Sequence, residues 1–204
     1  HPIFLESIKF IKSKITKNDF NCIESKVLER LIHTSGDFQI QSLLAFSENV
    51  CENTLEALKL GAPILTDTDM AAAAIKTMAN KSHRNRVFSA RNWIVDNLDI
   101  NCTKTAYGIE HAWLELSKKY QGKVSPIVVF GSSPTALEKL LDILEGSDNK
   151  PTVIIGMPVG FIGVEKSKKR LLESNFSYIV MGSSRGGAAM AGATINALLR
   201  ESIA

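Results

Sequence analysis

The residues able to do chemistry sit in a few short segments. Gly131-Ser-Ser-Pro-Thr-Ala-Leu137, Gly156-Met-Pro-Val-Gly-Phe-Ile-Gly163 and Ser184-Arg-Gly-Gly-Ala188 each follow an apolar run. A strand ending in glycine turns sharply and brings bare N–H groups up to a ligand, an anion above all. The same glycines serve equally as plain strand-to-helix turns. Arg185 stands beside flexible backbone at a helix start, suited to clamping a carboxylate or phosphate, with a solvated surface arginine as the blander alternative. Thr103-Lys-Thr105 opens a helix with hydroxyls, amides and an ammonium that can receive an anion, or simply caps it. Asp67 and Asp69 follow a strand; they suit acid–base work as a pair, or helix capping. His33 falls at a helix end before Thr34-Ser-Gly-Asp-Phe38, either stabilised there by the helix dipole or turned toward a cleft. His1 is terminal, His83 lies among Lys81, Arg84 and Arg86 on what reads as a solvated basic surface, and His111 falls inside a helix.

Several chemistries are disfavoured. The Gly156, Gly160 and Gly163 spacing is not a dinucleotide fingerprint, no phosphate-loop motif occurs, and Pro158 removes an N–H that a pyrophosphate would use. Gly131-Ser-Ser-Pro134 is not a nucleophile elbow. Cys22, Cys51 and Cys102 form no CxxC pair and no metal-ligand spacing with histidine, so they read as free thiols in a reducing cytosol, with no metal site.

These segments need a frame. Phe4, Ile8, Ile11 and Ile15 recur at helical spacing, and Ile23, Val27 and Leu31 continue the pattern in a second helix. Asn18 or Asp19 is placed to cap that helix, which ends near Thr34 to Gly36. Ser47–Leu60 reads as a third helix stopped by Gly61, and Pro63–Thr66 as a buried strand. A helix through Met70 and Met78 follows, capped by Asp67 or Asp69. Between Lys81 and Asn101 the pattern is weak; Arg86–Ser89 suits a strand, and Trp93–Val95 either helix or strand. The second half alternates: helix Thr103–Tyr120, strand Val124–Phe130, helix Thr135–Leu144, strand Thr152–Ile155, helix Glu165–Ser174, strand Tyr178–Met181 and helix Ala188–Ile203. Its strands are apolar throughout, as in a parallel sheet covered on both faces. The expected fold is α/β, a three-layer α/β/α arrangement with a mainly parallel, Rossmann-like sheet. Ligands of such sheets bind beyond the carboxyl ends of the strands, where the glycine segments fall.

Composition sets limits. The chain has 204 residues, 45% hydrophobic and 22% charged, with net charge +3. That is ordinary for a folded domain and too weakly basic to argue for nucleic acid, although it suits an acidic small ligand. No apolar run approaches the ~20 residues needed to cross a bilayer. His1-Pro-Ile-Phe-Leu-Glu6 lacks the basic start and long apolar stretch of a signal peptide, so a cytoplasmic location is expected.

Taken in order, His1-Pro-Ile with Glu6-Ser7, Ile32-His-Thr-Ser-Gly-Asp-Phe38, Gly61-Ala-Pro-Ile-Leu-Thr-Asp67 with Met70, and Thr103-Lys-Thr105 form a pattern. Ser133-Pro-Thr-Ala-Leu137, Gly156-Met-Pro-Val-Gly-Phe161 with Ser167-Lys168, and Arg185-Gly-Gly187 with Asn196-Ala-Leu198 complete it. This ordered set resembles the precorrin-8X methylmutase (precorrin isomerase) family of cobalamin biosynthesis. The resemblance spans nearly the whole chain and implies a single domain over residues 1–204.

It also implies a methyl shift from C11 to C12 of the tetrapyrrole, without cofactor. The substrate is then precorrin-8X or cobalt-precorrin-8, and the product hydrogenobyrinate or its cobalt form. Family members resemble homodimers with pockets near the subunit interface. The family's active histidine maps onto His33, as proton donor to a ring nitrogen. Substrate-binding positions implied are Ser7, Thr66, Asp67 and Met70; Thr103, Lys104 and Thr105; Ser133, Pro134 and Thr135. Gly156, Met157, Pro158 and Val159 follow, with Arg185, Gly186 and Gly187. Arg185, Lys104 and the turn amides would anchor the carboxylate arms, while Met70, Met157, Val159 and Phe161 would pack on the ring faces. The residues agree with such chemistry, because a methyl migration needs no nucleophile, metal or redox partner. A neutral-range acid such as imidazole, unperturbed pKa ~6.5, suits the proton transfer. Lys104 stands where many relatives carry arginine, Ser132-Ser133 where many carry Asn-Ala, and Ala188 where serine is common. The rival readings are a non-catalytic tetrapyrrole-binding carrier and, on the glycine turns alone, a nucleotide-binding enzyme.

Overall fold

A computed structural model describes residues 1–16, 19–95 and 102–204. Its centre is a six-stranded sheet of β1 (Leu44–Phe46), β2 (Ile64–Thr66), β3 (Val87–Ser89), β4 (Ile127–Phe130), β5 (Val153–Gly156) and β6 (Tyr178–Met181). The order across the sheet is β1-β6-β5-β4-β2-β3; every neighbouring pair is parallel except β1 with β6. The mainly parallel α/β/α expectation therefore holds.

The apolar strands serve two cores at once. Ile127, Val129, Val153, Ile155 and Ile179 face one side, packing with α2 (Cys22–Ser35), α3 (Val50–Lys59), α4 (Asp69–Lys81) and α8 (Ala188–Glu201). Leu65, Val128, Phe130, Ile154 and Val180 face the other, against α5 (Lys104–Lys119), α6 (Pro134–Leu144) and α7 (Val164–Leu172). Alternation along each strand sends successive side chains to opposite cores. The first helix, α1 (Pro2–Lys14), lies outermost and buries little beyond Ile11.

Some expectations need correction. Asn21 caps α2, forming a reciprocal capping box with Glu24; Asn18, the other expected cap with Asp19, lies outside the described residues. Helix α3 begins at Val50 rather than Ser47, because Ser47 continues the sheet edge: its N–H bonds the Tyr178 carbonyl at 3.0 Å and its Oγ accepts from the Tyr178 N–H at 2.9 Å. Neither Asp67 nor Asp69 caps α4; Thr68 holds that position without a side-chain bond to the helix, and Asp69 instead pairs with Arg91 at 3.1 Å. Within the weakly patterned stretch, Val87–Ser89 is a strand and Ala90–Trp93 a 3-10 turn, Ile94 and Val95 lie in neither helix nor strand, and 96–101 lie outside the described residues. His83 is not simply solvated, since its Nε2 lies 2.9 Å from the Ser202 hydroxyl.

Strand β1 has no sequence expectation behind it, and its direction matters. Being antiparallel, it begins at the edge where the parallel strands end: Leu44 pairs with Met181, and the Gly182 N–H bonds the Leu43 carbonyl at 2.8 Å. The segment leading into β1 is thereby delivered to the carboxyl-end rim. It comprises the close of α2, with His33, and a 3-10 turn over Phe38–Ser42.

Candidate active site

Along this rim the chain doubles back between β3 and β4, on opposite flanks of β2, which makes the β2/β4 junction the sheet's switch point. That junction is filled by Asp67. Its carboxylate oxygen accepts the N–H groups of Gly131, Ser132 and Ser133 at 3.1, 2.7 and 2.9 Å, and its other oxygen accepts from the Thr68 hydroxyl. The side chain is fully buried. Burial pushes the carboxyl above its ordinary range, and the amide bonds pull it back. The amides after β4 read as an anion cradle, and the protein's own carboxylate occupies it. Thr66, also expected to touch substrate, is buried and donates to the carbonyls of Thr68 and Phe88.

The cradle fixes the start of α6 beside the start of α5, and four hydroxyls close a ring there. Thr103 Oγ1 lies 2.8 Å from Thr135 and 3.4 Å from Thr105, Thr105 lies 2.7 Å from Ser133, and Ser133 lies 3.1 Å from Thr135. Thr103 caps α5 and Ser133 caps α6, so the ring sits on two helix N-termini. Thr103, Pro134 and Thr135 line a cavity of about 640 Å³ shared with Ile162, Lys139 and Lys166. Lys104 is exposed at the mouth of α5.

The loops after β5 and β6 are also joined. The Gly187 N–H bonds the Met157 carbonyl at 2.8 Å, and the Gly160 N–H bonds the Ser184 carbonyl at 3.1 Å. Gly186 adopts φ 153°, and a Cβ there would meet the Met157 carbonyl oxygen at 2.1 Å, so only glycine permits this approach. Gly156 ends β5, and Pro158 is buried. Met157, expected against the ring face, is fully buried in the core with its sulfur accepting from Thr194. The exposed apolar groups are instead Val159, Phe161 (89% exposed) and Ile162 (90%), with Met70 (66%) across the rim.

Arg185 projects from the β6 loop to Asp37, with which its Nη1 forms an ion pair, and its Nη2 donates to Gln39 Oε1 at 3.1 Å. Asp37 and Gln39 were not foreseen; the only sequence hint was the acid four residues after His33. A cavity of about 750 Å³ opens beside Arg185, lined by Ser183, Gln39, Gln41 and Asp19. His33 is exposed, its Nδ1 3.0 Å from Ser7 Oγ, with Phe4 edge-on at a centroid distance of 5.3 Å. The structure thus groups Ser7 with His33, joins the four hydroxyls, and joins the two glycine loops. Among the described residues, no hydrogen bond links His33 to the hydroxyl ring or to Arg185, and no group of His, Cys, Asp and Glu is arranged to hold a metal ion.

Comparison with known proteins follows this geometry. The family model described as CbiC, precorrin-8X methylmutase, matches residues 2–201. The chain is 30% identical to a precorrin-8X methylmutase of Sinorhizobium sp, covering 100% of this chain and 95% of that one. It is also 30% identical to a cobalt-precorrin-8 methylmutase of Methanocaldococcus jannaschii, covering 95% and 90%. A solved structure of precorrin-8X methylmutase from Thermus thermophilus superposes with TM-score 0.85 at 27% identity, covering 98% of this chain and 95% of that chain. The chain belongs to the precorrin-8X methylmutase family, isomerases that move a methyl group within their substrate during cobalamin biosynthesis.

Proposed function

We propose that this protein isomerises precorrin-8X, metal-free or cobalt-loaded, by moving the methyl group from C11 to C12, with His33 lending a proton. The observation that carries the reading is the exposed imidazole held at Nδ1 by Ser7 on the rim of the sheet. In the protonated ring, Nδ1–H donates to Ser7 Oγ, and the second proton, on Nε2, is the one the ring can lend. That proton goes to a ring nitrogen of the macrocycle, draws electron density through the conjugated system, and makes the adjacent carbon a better acceptor of the migrating methyl. It returns to Nε2 once the methyl has moved, so atoms and charge balance within one substrate.

The remaining groups bind and orient. Arg185, Lys104 and the hydroxyl ring suit acidic arms, and Met70, Val159 and Phe161 offer apolar contact to the ring. Asp67, Thr66 and Met157 act one layer back, shaping the loops that carry those groups. A homodimer is part of this reading, with pockets near its interface.

The test is direct. Purified protein incubated with precorrin-8X shifts the visible spectrum to that of the corrin product. His33→Ala lowers kcat by ~10²–10⁴-fold while product binding and thermal unfolding stay near those of the parent. Undiminished turnover in that variant would refute the donor role. Tight product binding by the parent without turnover of either substrate form would establish a carrier instead.

A further inference from the structure

Lys168, part of the ordered motif set in the sequence, has no place in the site described so far. It lies on α7, is only 1% exposed, and carries an ammonium with no carboxylate within ion-pair distance among the described residues. Its Nζ donates to two main-chain oxygens of the β6 loop, Ser183 at 2.7 Å and Arg185 at 2.5 Å. Burying a cation on carbonyl oxygens alone is costly, so the fold gains something else from it. The loop it holds is an improbable one. Ser183 sits at φ 59°, unusual for a residue with a side chain, and Gly186 and Gly187 follow at 153° and 114°.

We propose that Lys168 is a positioning residue: its ammonium clips the Ser183–Arg185 backbone from behind, fixing Arg185 on the rim, where it receives an acidic arm of the substrate. This rests on the isomerase reading for the nature of that arm. Arg185's carbonyl is tied to Lys168, while its guanidinium points to Asp37 and Gln39, so the ammonium sets where the side chain starts. The clip also steadies the two loop-to-loop bonds, Gly160 to Ser184 and Gly187 to Met157.

Charge around Lys168 is sparse. On α7, Glu165 favours the charged form; on the loop, Arg185 is already engaged by Asp37; on α6, Glu138 and Asp142 are taken by Arg170; β6 turns Val180 toward α7. Burial dominates and draws the ammonium down to about 8. Binding of an acidic arm is therefore coupled to protonation of this lysine, and weakens as pH rises through that value.

The experiment compares the parent with Lys168→Met, Arg185→Gln and the double variant, using kinetics on metal-free precorrin-8X and amide hydrogen exchange of the free proteins. Expected for Lys168→Met are a KM raised about tenfold or more with kcat within about threefold, and faster exchange at Gly160 and Gly187. The double variant should bind no worse than Arg185→Gln alone, because both act through one guanidinium. The parent's KM should climb above about pH 8, and that climb should vanish in Lys168→Met. An unchanged KM, or a loss that multiplies with that of Arg185→Gln, overturns the proposal. If Lys168→Met fails to fold, the parent decides: a KM flat from about pH 7 to 9.5 overturns it, and a rising one upholds it. Should the parent not turn over precorrin-8X at all, the isomerase reading falls. The clip then stands or falls on whether exchange at Gly160 and Gly187 quickens in Lys168→Met.

Discussion

Asp67 illustrates how a residue's type misleads when its depth is unknown. An acid after a strand suggests a helix cap or a reacting carboxylate; here it is a buried counterweight to three amides. Asp67→Ala leaves those N–H groups without an acceptor, at ~1–3 kcal/mol each. Loss of about 3 kcal/mol or more should appear as a lower urea midpoint with an unchanged m-value. Ser7→Ala tests orientation: it should leave stability near that of the parent and reduce kcat by up to ~10²-fold, read in the same turnover assay. Lys168 makes a pH prediction of opposite sign for stability and binding. Its folded pKa, about 8, lies below the ordinary lysine value of 10.5. Between those values the unfolded chain holds the extra proton, so this group makes unfolding harder as pH rises, even while substrate binding weakens. Chemical denaturation at about pH 7.5 and pH 9.5, with Lys168→Met as the reference that lacks the effect, measures it.

Elements were legible in proportion to their apolar length. Strands β4, β5 and β6 stand out because both faces are covered, leaving no polar residue to interrupt the run. Strand β1 is three residues long and follows an irregular turn, so no period announces it. Its pairing with β6 is a tertiary fact, yet it explains why a helix from the first forty residues reaches the same rim as the last loop. The place of His33 at a helix end was legible because the end of α2 is written in Thr34-Ser-Gly36, with Gly36 at φ 67° closing the helix; its donor role came only from the family resemblance. The Asp37 partner of Arg185 was not, since nothing local couples residues 148 apart. Where α4 and α8 cross, a Cβ on Gly192 would meet the Ala74 Cβ at 2.7 Å. Gly192→Val should cost ~1–3 kcal/mol by overpacking and lower the melting temperature, with the rim chemistry affected only through overall stability.

Across the whole molecule, charge is what the proposed polycarboxylate substrate would meet first. The net charge is only +3; near the hydroxyl ring and the β6 loop stand Lys104, Lys139, Lys166 and Arg185, with Lys139 paired to Glu110 and the neighbouring Glu138 and Asp142 engaged by Arg170. A polycarboxylate is drawn to such an edge over a Debye length of about 10 Å at 0.1 M salt. KM should therefore rise as ionic strength increases from about 0.02 to 0.5 M while kcat holds steady. A KM indifferent to salt would leave the arms without their charged anchors.

In the proposed reading, Arg185 meets its guest already engaged. Because Asp37 holds the guanidinium before anything arrives, docking of an acidic arm is a substitution of one carboxylate for another. An arm capped as an uncharged amide cannot compensate for the departure of Asp37, so this loop turns it away without any steric barrier. On that reading the tenancy of Asp37 works as a charge filter, while its other oxygen goes on capping the short turn that follows His33 through the Gln39 N–H.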